Sequence, residues 1–358
     1  MKQRIIGFDL ARAYAIFGMF IVNFNIVFGS HNDQSIVGQF MSLFSGNSST
    51  VFVILAGMGI ALMTNRTEYS VAEKNNLRST ILKRAMFLFI IGLLLNTVWP
   101  ADILHFYGCY MFIIAFLIFI EKRYFLWFAT ASVMIFHILV FIIPYETGWF
   151  LEKFQYKDFY TINGFLRNTF YNGWNSIFPW IAYFLLGMYL GRLNWTEKKV
   201  QRKMLFSGLT LYLTVTTTQL ISQHITISEE LKLFINADYL PPFLPFILST
   251  SGFGLMIISG FMYLGNKIGE SQLAKNLAST GQMTLTHYVS HVTIGMILFS
   301  ILTNNNLSED LTTVLPTKSI YILLFSITYF VFSYYFSKLW TKHFKNGPLE
   351  TLMRKISG

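Results

Sequence analysis

The feature that most constrains this chain is a series of uncharged apolar segments, each long enough to cross a lipid bilayer. The first of them contains no formally charged residue over positions 13–32, and about 20 apolar residues suffice to cross the bilayer core. Hydrophobic residues make up 54% of the 358 residues and charged residues only 12%. Because backbone polar groups in lipid must be satisfied within their own segment, this pattern predicts an all-α polytopic membrane protein.

The apolar pattern repeats along the whole chain and predicts about ten membrane helices. The second segment is the least regular, because residues 42–50 at its start are rich in Ser, Gly and Asn. We expect a break or a re-entrant turn there, which must be buried in protein or line a cavity. The predicted helices cover approximately residues 6–28, 44–64, 82–99, 103–120, 124–143, 176–193, 204–224, 242–264, 282–302 and 318–337.

The distribution of Lys and Arg orients these helices. With the N-terminus placed in the cytoplasm, 21 of the 27 Lys and Arg residues fall in inner segments and five in outer segments. Cytoplasmic loops of membrane proteins carry such an excess. We therefore predict that both termini are cytoplasmic and that the protein is a multi-pass protein of the cell membrane. The same distribution accounts for the net charge of +10 without a nucleic-acid partner.

The sequence predicts a single domain over residues 1–358. Its one cysteine, Cys109, lies in an apolar run and cannot form an intrachain disulfide. The longest outer segment, residues 144–175, is rich in aromatic residues. Two interpretations of it stay open. It can be a belt of aromatic side chains at the membrane interface, which we favour, or a lid that stacks on a sugar or a lipid headgroup.

Polar residues on the first helix are the first candidates for a functional site. Asp9 and Arg12 are three positions apart at the inner end, so they share a helical face and can pair. Asn23 lies about three turns further along the same face as Arg12. Ionisable side chains within a membrane helix point to function by default, although an ion pair that anchors the helix end is the alternative.

A second candidate lies where the fourth helix begins at the outer face. Asp102 and His105 are three positions apart and share a helical face. A carboxylate beside an imidazole orients the ring and raises its basicity, which is the usual arrangement for a general base. The alternative is that Asp102 only caps the helix, since acidic residues are favoured in the first turn.

Several short motifs follow one another in a specific order. They are Arg-x-x-Gly-x-Asp-x-x-Arg at residues 4–12, Asp-Ile-Leu at 102–104, Phe-Pro-Trp at 178–180 and Gly-Pro-Leu-Glu at 347–350. This order resembles the YeiB-like family of bacterial membrane proteins, which is related to heparan-alpha-glucosaminide N-acetyltransferase. The resemblance implies a membrane acyltransferase that carries an acetyl group from cytoplasmic acyl-CoA to an acceptor on the outer face.

The resemblance also suggests a second catalytic pair. In the heparan-glucosaminide enzyme an Asn near the end of a conserved helix and a His before the next helix form such a pair, and Asn23 and His31 occupy similar places here. The three residues after His31 depart from the motif of that enzyme. A solvated loop histidine is the alternative interpretation of His31, and we rank His105 above it as the base.

His287 and His291, four positions apart, share one face of the ninth helix. A metal site needs a third and usually a fourth ligand, and the sequence contains no His-Glu-x-x-His pattern. We therefore predict no metal, and we expect the two histidines to line a central cavity together with Tyr107 and Trp180.

The function we expect is acyl transfer with acyl-CoA, most simply acetyl-CoA, as co-substrate. Arg12, Arg84 and Arg192 are the candidates to hold its phosphates, because they lie nearest the inner face of the bilayer, and Asp9 belongs to this predicted site as the partner of Arg12. The expected partners are the lipid bilayer and an outer-face glycan, lipid or small-molecule acceptor, and a homo-oligomer is left open. No nucleotide-binding glycine motif is present.

The alternative class is a transporter, or a non-catalytic membrane protein that confers resistance or immunity. Intramembrane charges and broken helices also occur along the substrate and proton paths of transporters. Binding of acetyl-CoA to the purified protein is the property that separates the two classes.

Overall fold

The computed structural model describes residues 5–29, 33–66, 68–150, 155–236, 238–304 and 316–358, and these are predominantly helical. Eight helical stretches of the described residues are long and apolar enough to cross a membrane, as judged by length and composition, and two of them, Ile36–Met63 and Thr284–Thr303, contain irregular turns. Two shorter apolar helices, Leu104–Ile114 and Ile177–Gly191, stand where the other two spans were predicted. The predicted all-α polytopic fold is confirmed, whereas the exact number of spans and the side of the termini stay predictions.

The described elements follow the predicted order of apolar segments. In chain order they are α1 (Ile6–Phe28), α2 (Ile36–Ser42), α3 (Asn47–Met63), α4 (Val71–Asn96), α5 (Leu104–Ile114), α6 (Lys122–Ile142), β1 (Trp149–Phe150), β2 (Gln155–Tyr156), α7 (Ile162–Arg167), a π-helical turn (Asn168–Asn172), α8 (Ile177–Gly191), α9 (Lys198–Ser222), α10 (Glu229–Ile235), α11 (Leu244–Ile268), α12 (Gln272–Gln282), α13 (Thr284–Ser290), a second π-helical turn (His291–Gly295), α14 (Met296–Thr303), α15 (Ser319–Trp340) and α16 (Pro348–Ser357).

Two details of the predicted spans are settled by these bounds. The break expected in the second apolar segment is present, since α2 ends at Ser42 and α3 begins only at Asn47. Gly46 makes the connection with a φ of 68°, a left-handed conformation that glycine adopts without steric cost. The fourth segment was expected to be helical to residue 120, but α5 ends at Ile114 and turns follow.

The chain forms two compact units. The first unit comprises Met1–Phe52, Trp195–Leu209 and Phe253–Thr351. Within it, α1 packs against α12 and α15. The approach of α12 to α1 is close, because a Cβ added at Gly281 would lie 1.8 Å from the carbonyl oxygen of Asp9. A small residue at such a crossing lets two helices come close together.

The second unit comprises Val53–Asn194, Thr210–Gly252 and Leu352–Gly358. Within it, α4 packs along α5, and α6 packs along α8. Helix α4 begins with a capping box, in which the Ser70 hydroxyl accepts from the backbone N–H of Glu73 and the Glu73 carboxylate accepts from that of Ser70. This cap fixes the start of the helix, which runs unbroken from Lys74 near its first turn to Gly92, the residue that packs against His105.

The aromatic segment forms a small cap in the second unit, which we call the aromatic cap (residues 144–150 and 155–175). It contains the β1–β2 hairpin, α7 and a π-helical turn. Our favoured interpretation of the segment as an interfacial belt is wrong for half of its described rings, because five of the ten are buried. The buried aromatic side chains are Tyr145, Trp149, Phe159, Tyr171 and Trp174.

Candidate functional site

Asp102 and His105 form a buried pair at the start of α5. The Asp102 carboxylate oxygen Oδ2 accepts a hydrogen bond from the backbone N–H of His105 at 3.0 Å and lies 3.1 Å from the Nδ1 atom of the His105 ring. Because a carboxylate only accepts, Nδ1 carries the proton in the neutral imidazole. The lone pair is then on Nε2, which is buried without a hydrogen-bond partner among the described residues.

The surroundings of His105 are tightly packed and apolar. A Cβ added at Gly92 on α4 would lie 2.1 Å from the backbone nitrogen of His105 and 2.6 Å from Asp102 Oδ2. Only glycine therefore allows α4 to approach the pair this closely. The ring centroid of His105 lies 3.9 Å from that of Phe106 and 6.0 Å from that of Phe159 in the aromatic cap. The imidazole is therefore held in one orientation and shielded from solvent.

A network of hydrogen bonds holds the aromatic cap together. Both oxygens of Asp158 accept from Arg167 Nη2 at 2.6 Å, and the Arg167 Nε donates to the Tyr156 hydroxyl at 2.7 Å. The Tyr156 hydroxyl in turn donates to Asn172 Oδ1 at 2.7 Å. Charge-assisted bonds of this kind are the stronger ones in proteins, so the segment that carries Phe159 is an ordered structure.

A basic pocket lies at the other end of α4, in the same unit. Its volume is about 440 Å³, within the range of roughly 300–1,000 Å³ that is typical of small-molecule sites. Three cations and one carboxylate face it, together with two aromatic rings whose centroids are 5.5 Å apart. The lining residues are Thr64, Arg66, Glu68, Tyr69, Lys74, Ile118, Phe119 and Arg192.

Arg192 is the one residue of the pocket that we selected from sequence as a binding residue. Its Nη2 donates to the carbonyl oxygen of Ile118 at 2.6 Å, and its guanidinium carbon lies 5.8 Å from the centre of the Phe125 ring. Arg84 does not line the pocket. It donates through Nε to the Ser357 hydroxyl at 3.2 Å, and its Nη1 lies 3.4 Å from the Met63 sulfur.

The first unit contains the pair that we expected on α1. Arg12 Nη1 donates to Asp9 Oδ1 at 2.9 Å, and the second carboxylate oxygen of Asp9 accepts from Gln282 Nε2 at 3.3 Å. The Asp9 side chain is 3% exposed and that of Arg12 is 24% exposed, so the guanidinium keeps access to a ligand while the carboxylate is enclosed. The spacing argument for this pair is confirmed, and its role in binding stays a prediction.

Asn23 has a partner that its sequence position does not reveal. Its Nδ2 lies 2.8 Å from His291 Nε2, and both residues are buried. His287, one turn before His291, hydrogen-bonds through Nε2 to the Ser337 hydroxyl at 2.7 Å. His31, which the resemblance pairs with Asn23, lies outside the described residues.

The two remaining residues that we expected near a cavity are buried in the second unit. Trp180 follows the kink at Phe178 near the start of α8, and its ring lies 4.9 Å from that of Tyr239. Its indole N–H is buried without a hydrogen-bond partner among the described residues. The ring of Tyr107 lies 5.8 Å from that of Tyr110. Tyr107 and Trp180 thus belong to the second unit, whereas His287 and His291 belong to the first.

Comparison with known protein families decides the family. Residues 4–228, more than half of the chain, match the family described as heparan-alpha-glucosaminide N-acetyltransferase, catalytic. The chain belongs to this family. Residues 189–358 match a second family, described as a protein of unknown function (DUF418). This pair of matches supports the YeiB-like assignment made from the motifs. A comparison with curated proteins finds no match.

Membership of this acetyltransferase family makes the buried histidines and the basic pocket the features of interest. Over the described ranges, no three His, Cys, Asp or Glu side chains gather as a group that could hold a metal ion.

Sequence reasoning missed most of the pocket. Arg66 and Lys74 carried a signal, because both were assigned to a basic inner segment, whereas the rings of Tyr69 and Phe119 come together only in the fold.

Proposed function

We propose that this protein is an acyltransferase of the cell membrane that moves an acyl group, most simply acetyl, from cytoplasmic acyl-CoA to an acceptor on the outer face. The observation that carries the proposal is the His105–Asp102 pair. A buried imidazole whose Nδ1 is held by a carboxylate and whose Nε2 is unpartnered has the arrangement of a general base. Membership of the acetyltransferase family supports the reaction class.

In the proposed reaction His105 accepts one proton and then donates it again. Its Nε2 takes the proton from the hydroxyl or amine of the acceptor, which attacks the carbonyl carbon of the acyl thioester. The carbon–sulfur bond breaks, and the CoA thiolate that leaves recovers the proton from Nε2. Asp102 stabilises the imidazolium that exists between these two transfers and keeps the ring in the useful tautomer.

The basic pocket is the proposed site for the phosphate groups of the donor. Arg192, Arg66 and Lys74 supply the charge, and the rings of Tyr69 and Phe119 can stack on an adenine. Lys74 and Gly92 are 18 residues apart on α4, which corresponds to ~27 Å along the helix axis. This is close to the ~30 Å of a bilayer core, as a donor site and a base at opposite faces require.

The other predicted residues have defined places in the proposal. Arg12, held by Asp9 in the first unit, and Arg84 in the second unit stay predicted phosphate-binding residues outside this pocket. Asn23 stays a predicted catalytic residue of the first unit. His31 is the alternative base, paired with Asn23 by the family resemblance. The acceptor is a glycan, a lipid or a small molecule of the outer face.

The test is transfer of label from acetyl-CoA to cell-envelope material by purified protein. A general base contributes about 10² to 10⁴ in rate, so His105→Ala should lose at least two orders of magnitude while still binding acetyl-CoA. Asp102→Asn should fall in the same direction but less far. His224→Ala, which removes an exposed histidine, is the matched control and should transfer normally.

Two results contradict parts of the proposal. If His31→Ala abolishes transfer and His105→Ala keeps more than about a tenth of it, the base is His31. If the wild-type protein neither binds acetyl-CoA nor transfers label, the acyltransferase proposal is wrong, and a transporter or a non-catalytic resistance factor becomes the better explanation.

A further inference from the structure

Two arginines hold the end of α5 in the second unit. The last carbonyl groups of a helix have no partner within the helix and need other donors. In the turns that follow α5, the Ala115 carbonyl accepts from Arg78 Nε at 3.3 Å, and the Ile118 carbonyl accepts from Arg192 Nη2 at 2.6 Å. Positive charge is favourable at this end of a helix. The two guanidinium groups therefore stabilise the end of α5.

The same turns form a wall of the basic pocket. Ile118 and Phe119 line the pocket, and His105 is the second residue of the helix that leads to them. One continuous stretch of chain thus has the proposed base at its start and the proposed donor pocket at its end. Because a packed helix can carry coupling as a rigid element, a restraint on its last turn also restrains the imidazole.

Arg192 connects the pocket with this end of the helix. It lines the pocket while its Nη2 is bonded to Ile118, and the same Nη2 lies 3.4 Å from the Thr64 hydroxyl. Its Nε is buried and has no hydrogen-bond partner among the described residues. A guanidinium carries five N–H donors and binds two phosphate oxygens side by side. Arg192 can therefore bind a phosphate through Nε and keep the Ile118 carbonyl at the same time.

Two other arginines take part in only one of these two structures. Arg66 lines the pocket, and its Nη1 donates to the Glu73 carboxylate of α4 at 3.0 Å. Arg78 holds the Ala115 carbonyl, and its guanidinium carbon lies 5.8 Å from the centre of the Phe116 ring. Arg78 is not one of the residues that line the described pocket. The chain thus contains a matched arginine for each half of the role of Arg192.

We propose that Arg192 is a positioning residue, which joins a donor phosphate to the last turn of α5 and thereby holds His105 in place for transfer. The inference rests on the proposed function, because it links the proposed donor pocket with the proposed base. A bound phosphate gives the guanidinium a second, charged partner and restrains it. The end of α5 is therefore better ordered when the donor is bound than when the pocket is empty.

Steady-state kinetics of transfer from acetyl-CoA separate the three arginines. Arg66→Gln should raise the KM for acetyl-CoA severalfold with little effect on kcat, because it changes the pocket alone. Arg78→Gln should lower kcat by about tenfold or more, the cost of a misplaced reacting group, with little effect on KM. Arg192→Gln should change both constants. Lys83→Gln, at an exposed position on α4, is the control and should change neither.

Amide hydrogen exchange tests the link without any activity. The probe is coenzyme A, which carries the phosphates and no acyl group. In the wild type, saturating coenzyme A should slow exchange over residues 104–118 severalfold, because local opening of the helix end becomes less frequent. In Arg192→Gln it should not slow this exchange. Should that variant fail to fold, Arg192→Lys replaces it, and we expect it to show less slowing than the wild type because an ammonium lacks the planar fork of a guanidinium.

Three results would overturn the inference. The first is an effect of Arg192→Gln on KM alone, with coenzyme A still slowing exchange in α5. The second is an Arg78→Gln protein with normal kcat and normal exchange. The third is a wild type that transfers label while coenzyme A leaves exchange in α5 unchanged. If coenzyme A slows exchange in the predicted pattern and the wild type transfers no label, the proposed function alone is contradicted.

Discussion

At the scale of single residues, polar pairs close in sequence could be predicted and distant pairs could not. Asp9 and Arg12 are three positions apart on α1, and helix geometry alone brings such residues together. Asp102 precedes α5 and accepts from the backbone N–H of His105 as a capping residue does, so the local spacing also predicted this pair. The contact between Asn23 and His291 joins positions that are 268 residues apart. No helical spacing predicts this contact, because it depends on which helices become neighbours. The resemblance instead directed attention to His31, which lies outside the described residues.

Arg12 tests the donor site at this scale. Arg12→Gln removes a charged hydrogen-bonding partner from a nearly enclosed carboxylate, so we expect a lower melting temperature and acetyl-CoA binding weakened by about tenfold or more. Arg12→Lys should recover part of the affinity, because an ammonium cannot bind two oxygens in the fixed geometry of a guanidinium. Thermal stabilisation by added acetyl-CoA measures both effects.

The control for this experiment is Arg123→Gln, which removes an inner arginine whose side chain is 66% exposed. It should bind acetyl-CoA as the wild type does. If Arg12→Gln also binds normally, Arg12 has no ligand role, and its pair with Asp9 serves to anchor the end of α1.

At the scale of elements, the composition of the apolar segments predicted the helices, whereas the residues at which the helices end could be determined only from the structure. The break before α3 was predictable because Ser, Gly and Asn accumulate there. The early end of α5 was not, since the apolar run continues past Ile114 while the helical hydrogen bonding stops. The aromatic cap was misread for a related reason: aromatic residues in an outer loop suit both an interface and a compact core.

The attachment of α16 to α13 gives a pH-dependent prediction. The Glu350 carboxylate accepts from the backbone N–H groups of Leu285 and Thr286 at 2.8 and 3.1 Å and from the Thr286 hydroxyl at 2.6 Å. Burial raises the pKa of Glu350 above its ordinary value of 4.5, although these hydrogen bonds act in the opposite direction. A carboxyl with a raised folded-state pKa favours the fold most when it is protonated.

The contribution of Glu350 to stability is therefore complete below pH 4.5 and is lost as the pH rises through the folded-state pKa. Glu350→Gln removes this titration. The melting temperature of the wild type should fall relative to that of Glu350→Gln as the pH is raised through this window. Glu121→Gln, at an exposed carboxylate, is the control. A constant difference between wild type and Glu350→Gln at all pH values would contradict the prediction.

At the scale of the whole molecule, the charge distribution predicts which segments face the cytoplasm. Asn75 near the start of α4 belongs to a basic inner segment, and Tyr160 of the aromatic cap, which is 81% exposed, belongs to an outer one. In a Cys109→Ser background, Tyr160→Cys should react with a membrane-impermeant thiol reagent in intact cells. Asn75→Cys should react only after the membrane is opened. Labelling of both from outside would contradict the predicted topology and the outer position of His105.

The burial of His105 has a consequence for the fate of the acyl thioester. Water is the most abundant nucleophile that a base could activate. An imidazole exposed to solvent would activate water for attack on the thioester, and the acyl donor would be hydrolysed without transfer. Phe159 and the packed helices leave the His105 side chain 1% exposed, so water has little access to Nε2 when no acceptor is present. Hydrolysis of acetyl-CoA by the protein alone should accordingly be much slower than transfer, and the choice between the two reactions is made by exclusion of solvent.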